Sequence, residues 1–161
     1  MDIQLRLLNL WRYKLQEIIQ KLRKAKQSHK RWVSYASALI EGIPIEKDQV
    51  PINYTDCEFG SWYYGDGQAL SGLREFKEIE DSHSQLHTLY MQIFALLFNE
   101  KKHSLFSKLV GKASKVDEQN KLEAKRKFKQ LDLVSKTIVE KLDVLESKLK
   151  NMADDEIQKL A

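Results

Sequence analysis

Apolar residues recur along most of the chain in steps of three and four, the period of a helix with one buried face. The first such pattern runs from Leu8 to Leu39, and a helix-ending Gly42 with two prolines follows it. A second long pattern covers about residues 68–99, and the last begins near Val116. The sequence therefore predicts three long helices, with a short helix or turn between the first two.

The last helix has apolar residues in a heptad register, from Phe128 to Met152. In that register Lys127 faces Asp132, and Lys141 faces Glu146, as the complementary charges of a parallel partner helix. This pattern predicts a homodimer, but a helix packed in its own bundle uses the same seam. We therefore divide the chain into a helical bundle (1–100), a connection (101–115) and a C-terminal helix (116–161) that is either a bundle member or a coiled-coil dimerisation segment.

Composition supports an all-α fold. The chain has 161 residues, of which 42% are hydrophobic and 31% charged, with only six glycines and two prolines. This profile is typical of a helical domain with its own core and not of a sandwich or barrel. The net charge is +4, but basic and acidic residues alternate, so no nucleic-acid partner is predicted.

The lengths of the apolar runs and the number of cysteines indicate the cellular compartment of the protein. No run reaches the about 18 apolar residues that cross a bilayer, and charges interrupt the first apolar stretch, so we expect neither membrane insertion nor a signal peptide. The single cysteine cannot form an internal disulfide. We therefore expect a cytoplasmic protein, in which this thiol is available for metal binding or redox chemistry.

Three of the four histidines lie on inward faces of the predicted helices, and His103, in the connection, is the exception. His83 and His87 are four residues apart, so one helical turn places both imidazoles on the same face. His29 occupies a seam position of the first helix, and Cys57 lies on the glycine-flanked turn "DCEFGSWYYGDG", where Asp56 can cap a short helix. Three imidazoles and one thiolate are a ligand set that fills a tetrahedral zinc site.

Three segments resemble, in order and spacing, the motifs of the chemoreceptor zinc-binding domain family. They are "SHKRWVSYASALIEG", the turn "DCEFGSWYYGDG" and the pair "HSQLH", and the resemblance covers about residues 15–98. It implies a four-helix bundle in which His29, Cys57, His83 and His87 hold Zn²⁺. It also implies a cytosolic sensor or regulatory domain of bacterial signalling, of the chemotaxis or cyclic-di-GMP type, partnered with a chemoreceptor or cyclase.

A site with four protein ligands lacks the open position that a catalytic zinc requires, so we do not expect an enzyme. Cys57 stands on the turn, and as a thiolate it is the ligand that an oxidant would attack. We expect the glycines of that turn, Gly60 among them, to let it bend. The alternative function is a helical coiled-coil adaptor in which zinc is only structural.

Overall fold

The computed structural model describes residues 3–43, 53–98 and 112–158. The predicted proline-containing break and most of the predicted connection lie outside these ranges. Every regular element of the described residues is a helix, which confirms the all-α prediction. The elements are α1 (Ile3–Ile40), α2 (Glu58–Tyr64), a 3₁₀ helix (Asp66–Leu70), α3 (Arg74–Lys77), α4 (Ile79–Phe98), α5 (Lys112–Lys150) and α6 (Asp154–Gln158).

The helix predicted over about residues 68–99 is divided into three pieces in the structure. A 3₁₀ turn and the short α3 precede α4, which begins at Ile79. The side-chain amide of Gln68 donates to the carbonyl of Tyr63 at 2.8 Å, which holds this stretch against the end of α2. A local side-chain contact to the backbone thus accompanies the break that the apolar periodicity did not predict before α4 begins.

Helices α1, α4 and α5 form the bundle, and the seam of α5 is buried within it. Helix α5 packs against both α1 and α4, and α3 contacts α4 and α5. The ion pairs Lys26–Asp143 and Glu41–Lys125 show that α1 and α5 run antiparallel. Buried positions of the predicted heptad register, all packed inside this one chain, are Leu131, Ser135, Ile138, Leu142, Leu145, Leu149 and Met152.

The charged residues assigned to a partner helix make contacts within the chain. Lys127 donates to Gln92 at 2.9 Å, and Lys141 donates to the hydroxyl of Ser82 at 2.7 Å. These contacts favour the bundle alternative for α5, while dimerisation and the three-part division of the chain stay predictions. Of the described helices, none is both long and apolar enough to cross a lipid bilayer.

A carboxylate at the α1–α5 contact joins the two helices. The side chain of Glu146 is only 8% exposed and accepts hydrogen bonds from Arg23 at 2.9 Å and from Lys26 at 2.7 Å. Lys150 pairs with it at 2.6 Å. Burial raises the pKa of Glu146, but its hydrogen bonds from these three cations outweigh burial and hold the pKa at about 2.

Replacing Glu146 by glutamine is expected to lower the free energy of unfolding near pH 7 by about 1–2 kcal/mol, a value discounted because Arg23 and Lys150 are partly solvated. The folded pKa lies below the ordinary 4.5, so this stabilisation is present above that pH and is lost as the pH falls towards 2. Urea unfolding of both proteins should give a difference in free energy of unfolding at about pH 3 that is less than half the difference near pH 7.

Glu123→Gln, at an exposed ion pair with Arg126, is the control and should change the free energy of unfolding by less than about 0.5 kcal/mol. A pH-independent difference would contradict this account.

Candidate metal centre

The turn before α2 holds Cys57 as the N-cap of that helix. Its backbone is extended (φ −67°, ψ 157°), and its sulfur accepts a hydrogen bond from the N–H of Gly60 at 3.1 Å. The prediction that Asp56 caps this helix is therefore wrong by one residue. The carboxylate of Asp56 instead accepts a hydrogen bond from the hydroxyl of Thr55 at 3.0 Å. The capping bond fixes the Cys57 sulfur at the buried start of α2, so the thiol is presented by a helix terminus and not by a loose turn.

Gly60 is required for space and not for backbone freedom, which corrects the expectation that it lets the turn bend. The only glycine with positive φ among the described residues is Gly42, which ends α1 at φ 80°. A Cβ on Gly60 would lie 1.9 Å from the carbonyl oxygen of Tyr54 and 3.0 Å from the Cα of Thr55. The missing side chain allows α2 to lie directly against the backbone that leads to Cys57.

Three imidazoles meet in the core between α1 and α4. His29 comes from α1, and His83 and His87 come from successive turns of α4. All three side chains are buried, and one nitrogen from each lies within 4.8 Å of the other two. The expected convergence of the seam histidine with the i, i+4 pair is therefore present in the structure. His103 lies outside the described residues.

The sulfur of Cys57 reaches the same cluster through His83. It lies 3.3 Å from the Nε2 atom of that residue and 3.4 Å from the carbonyl oxygen of Tyr54. Donor atoms on a tetrahedral zinc ion are separated by roughly 3.3–3.8 Å, so the contact between Cys57 and His83 already has ligand spacing. The three histidine nitrogens lie within 4.8 Å of one another, and the Cys57 sulfur is not within that distance of all three, so the four donors would have to move closer together around an ion.

Burial keeps His29 and His83 in the neutral form that binds metal. It lowers the pKa of His29 to about 4, with a further contribution from His87, and that of His83 to about 2, with further contributions from His29 and His87. Neither ring nitrogen of His29 makes a hydrogen bond of acceptable geometry, although the Ala25 carbonyl slightly opposes its pKa shift. A buried imidazole in this state is costly unless it has a partner, and a cation would provide one.

The pKa of the Cys57 thiol is raised by burial, against the effect of the N–H groups of Gly60 and Phe59. Without metal the thiol is therefore protonated near neutral pH. A metal ion reverses this preference, because a coordinating thiol is deprotonated outright. The electrostatics of the cluster suit a divalent cation that removes one proton on binding.

Aromatic rings surround the cluster on several sides. Trp32 lies 5.2 Å from the ring of His29 and 4.8 Å from that of His87, and Phe59 lies 4.9 Å from His83, measured between ring centroids. Such a shell restricts the orientations of the imidazoles. Sequence reasoning missed one neighbour, Tyr54, whose carbonyl accepts from the Cys57 thiol. Its position three residues before Cys57, in an irregular segment, carried no periodic signal.

Glu80 is the carboxylate whose spacing before His83 would suit a diiron site. Its carboxylate instead accepts a hydrogen bond from the hydroxyl of Tyr64 at 2.8 Å, on the exposed side of the bundle. The described donors that converge are thus the three imidazole nitrogens, and the Cys57 sulfur contacts one of these residues, His83. Imidazole nitrogens with an adjacent thiol suit zinc, and His29, Cys57, His83 and His87 are the residues that would hold it.

Comparison with known proteins supports this assignment. The family model of the chemoreceptor zinc-binding domain matches residues 29–94, a segment that begins at His29 and includes Cys57, His83 and His87. The match confirms the predicted resemblance to this family over that part of the chain. No curated protein and no solved structure matches the chain significantly.

Proposed function

We propose that the protein is a zinc-binding regulatory domain that senses metal supply in bacterial signalling. The observation that carries the proposal is the convergence of three buried histidine nitrogens with the sulfur of Cys57, which lies 3.3 Å from His83. The family match over residues 29–94 agrees with it. The ligands come from α1, the start of α2 and α4, so metal binding would fix the relative positions of three elements.

Zinc with four protein ligands would serve structure and sensing, and we propose no enzymatic activity. Zinc would supply a charge that binds the thiolate and three neutral imidazoles, while the chain positions these groups. Helix α1 carries His29 and also the Lys26 that pairs with Glu146 of α5, one turn earlier. We propose that a change at the metal centre reaches α5 through this shared helix.

The finer parts of the proposal concern the signal and the partners. We propose a cytoplasmic homodimer that regulates a chemoreceptor or a cyclic-di-GMP enzyme. Cys57 would respond to oxidants, because a peroxide transfers one oxygen to its thiolate and forms sulfenic acid, with water as the reduced product. The alternative, a coiled-coil adaptor, relied on the α5 seam, most of which is buried against α1 and α4.

Native mass spectrometry and competition with a chromogenic chelator test the zinc proposal. We expect one zinc ion per chain in the unmodified protein. The zinc affinity of Cys57→Ser should be at least about 100-fold lower, because a serine hydroxyl is a much weaker zinc ligand than a thiolate. Ser71→Ala, at an exposed residue that follows the 3₁₀ helix, is the control and should bind zinc normally.

Protein that binds no zinc would overturn the proposal. For the oxidant response, titration with hydrogen peroxide should release zinc in step with sulfenic acid labelling of Cys57. Release without modification of that residue would reject a redox role.

A further inference from the structure

A cavity of about 200 Å³ lies between α1 and α2 and reaches the metal centre from one side. Two of the four candidate ligands, His29 and Cys57, form part of its wall. His83 and His87 do not line it. A solute entering from this side therefore meets the α1 imidazole and the α2 thiol before the histidines of α4.

At the inner end of the cavity, the imidazole of His29 lacks hydrogen bonds of acceptable geometry. This side chain is 1% exposed, and neither of its ring nitrogens has a hydrogen-bond partner among the described residues. The surrounding wall is largely aromatic, with Trp32, Phe59 and Trp62. At this inner end of the cavity, a polar solute would therefore find its partners in His29 and Cys57.

The solvent side of the cavity carries an excess of positive charge. Among the described residues, Lys21 and Lys24 of α1 line it together with one carboxylate, that of Glu58 of α2. Lys24 and Glu58 form an ion pair at 2.7 Å that bridges the two helices, and both side chains are about two-thirds exposed. Two ammonium groups against one carboxylate favour the entry of anions.

We infer that this cavity is the exchange route of the metal centre and that it admits small anionic ligands, in particular thiolates that carry a carboxylate. The inference rests on the proposed zinc function. The carboxylate would pair with the lysines while the sulfur reaches the Cys57 side of the centre. In the exchange, the incoming thiol would replace Cys57 as a ligand and its proton would pass to the released Cys57 sulfur, so that one zinc–sulfur bond is exchanged for another and no electrons are transferred. A volume of about 200 Å³ accommodates a molecule of only a few heavy atoms.

A cavity-filling variant tests the route. Ser28 lines the cavity on α1, so Ser28→Phe should narrow it, and Ser37→Phe, at an exposed serine of the same helix, is the matched control. With mercaptoacetate as the incoming ligand and a chromogenic chelator as the final acceptor, zinc release from Ser28→Phe should be about tenfold slower. The equilibrium affinity should stay within about threefold, because a blocked route slows entry and exit together. Circular dichroism and zinc content establish that each variant folds.

A second variant tests the charge preference without changing the shape of the cavity. Mercaptoacetate and mercaptoethanol share a thiol and differ in having a carboxylate or a hydroxyl group. The ratio of the zinc-release rates that they produce should fall roughly twofold to threefold in Lys21→Gln, since one attractive charge is removed. Lys136→Gln, on the exposed surface of α5, should leave that ratio unchanged.

The outcomes separate this inference from the proposed function. A chain that binds no zinc defeats the proposed function itself. Zinc that is bound but released at equal rates from Ser28→Phe and Ser37→Phe overturns the exchange route alone. An unchanged rate ratio in Lys21→Gln overturns the preference for anions.

Discussion

In the His83→Leu variant, zinc is expected to lose its stabilising effect on the fold. The unmodified protein should gain about 4 kcal/mol in free energy of unfolding when free zinc is held at roughly a thousand times the dissociation constant. His83 is central to the site, because its Nε2 atom lies 3.3 Å from the Cys57 sulfur and its ring lies 5.3 Å from His29 and 4.9 Å from His87. Removing this imidazole leaves no complete tetrahedral set among the described ligands.

The metal-free forms should show the opposite order of stability. In the absence of metal, His83 is a buried polar ring whose pKa is lowered to about 2 by burial and by the neighbouring imidazoles. Leucine has similar volume and no polar atoms, so metal-free His83→Leu should be at least as stable as the metal-free protein, by up to about 1 kcal/mol. On this account, the buried His83 lowers the stability of the metal-free protein and is retained for metal binding.

Urea unfolding with zinc and with excess chelator measures both effects. Ser82→Ala is the control, because it changes a buried polar residue of the same helix whose hydroxyl accepts from Lys141 and not from the cluster. It should retain the full zinc-dependent stabilisation. Equal stabilisation by zinc in His83→Leu and in the unmodified protein would show that His83 is not a ligand.

Apolar periodicity was sufficient to predict the long helices, because each has one face that must be buried. The seam from Leu8 to Leu39 lies within α1, and the second long pattern, over about residues 68–99, gives α4. The same reasoning could not divide residues 66–78 correctly, since a hydrogen bond from Gln68 to Tyr63 determines the path there. It also left α5 ambiguous, because a bundle and a coiled coil bury the same heptad positions.

The metal centre was predictable in part, for different reasons at each ligand. The spacing of His83 and His87 fixes a shared helical face, so this pair follows from local geometry alone. Their meeting with His29 depends on how α1 packs against α4, which the spacing of residues cannot supply; the family resemblance supplied it. The position of Cys57 depends on the capping bond from Gly60 and on the path of the backbone at Tyr54, and both are local backbone details that apolar periodicity does not encode.

Substituting Gly60 by alanine is expected to disrupt the turn that presents Cys57. The new Cβ would lie 1.9 Å from the carbonyl oxygen of Tyr54, and backbone cannot move aside as a flexible side chain can. That carbonyl also accepts from the Cys57 thiol, so relief of the clash displaces the ligand itself. We expect a loss of about 2–3 kcal/mol in free energy of unfolding and zinc affinity lower by about 10- to 100-fold.

Gly72→Ala is the matched control, because a Cβ at Gly72 meets no heavy atom within 4 Å and its backbone φ is not positive. That variant should bind zinc normally and gain about 0.5 kcal/mol, since alanine restricts the unfolded chain. Urea unfolding and zinc calorimetry on both variants measure the contrast. Normal zinc affinity in Gly60→Ala would mean that Cys57 either does not bind the ion or reaches it without the close contact between α2 and the Tyr54 backbone. The Cys57→Ser variant decides between these two explanations, because it removes the sulfur and leaves that contact in place.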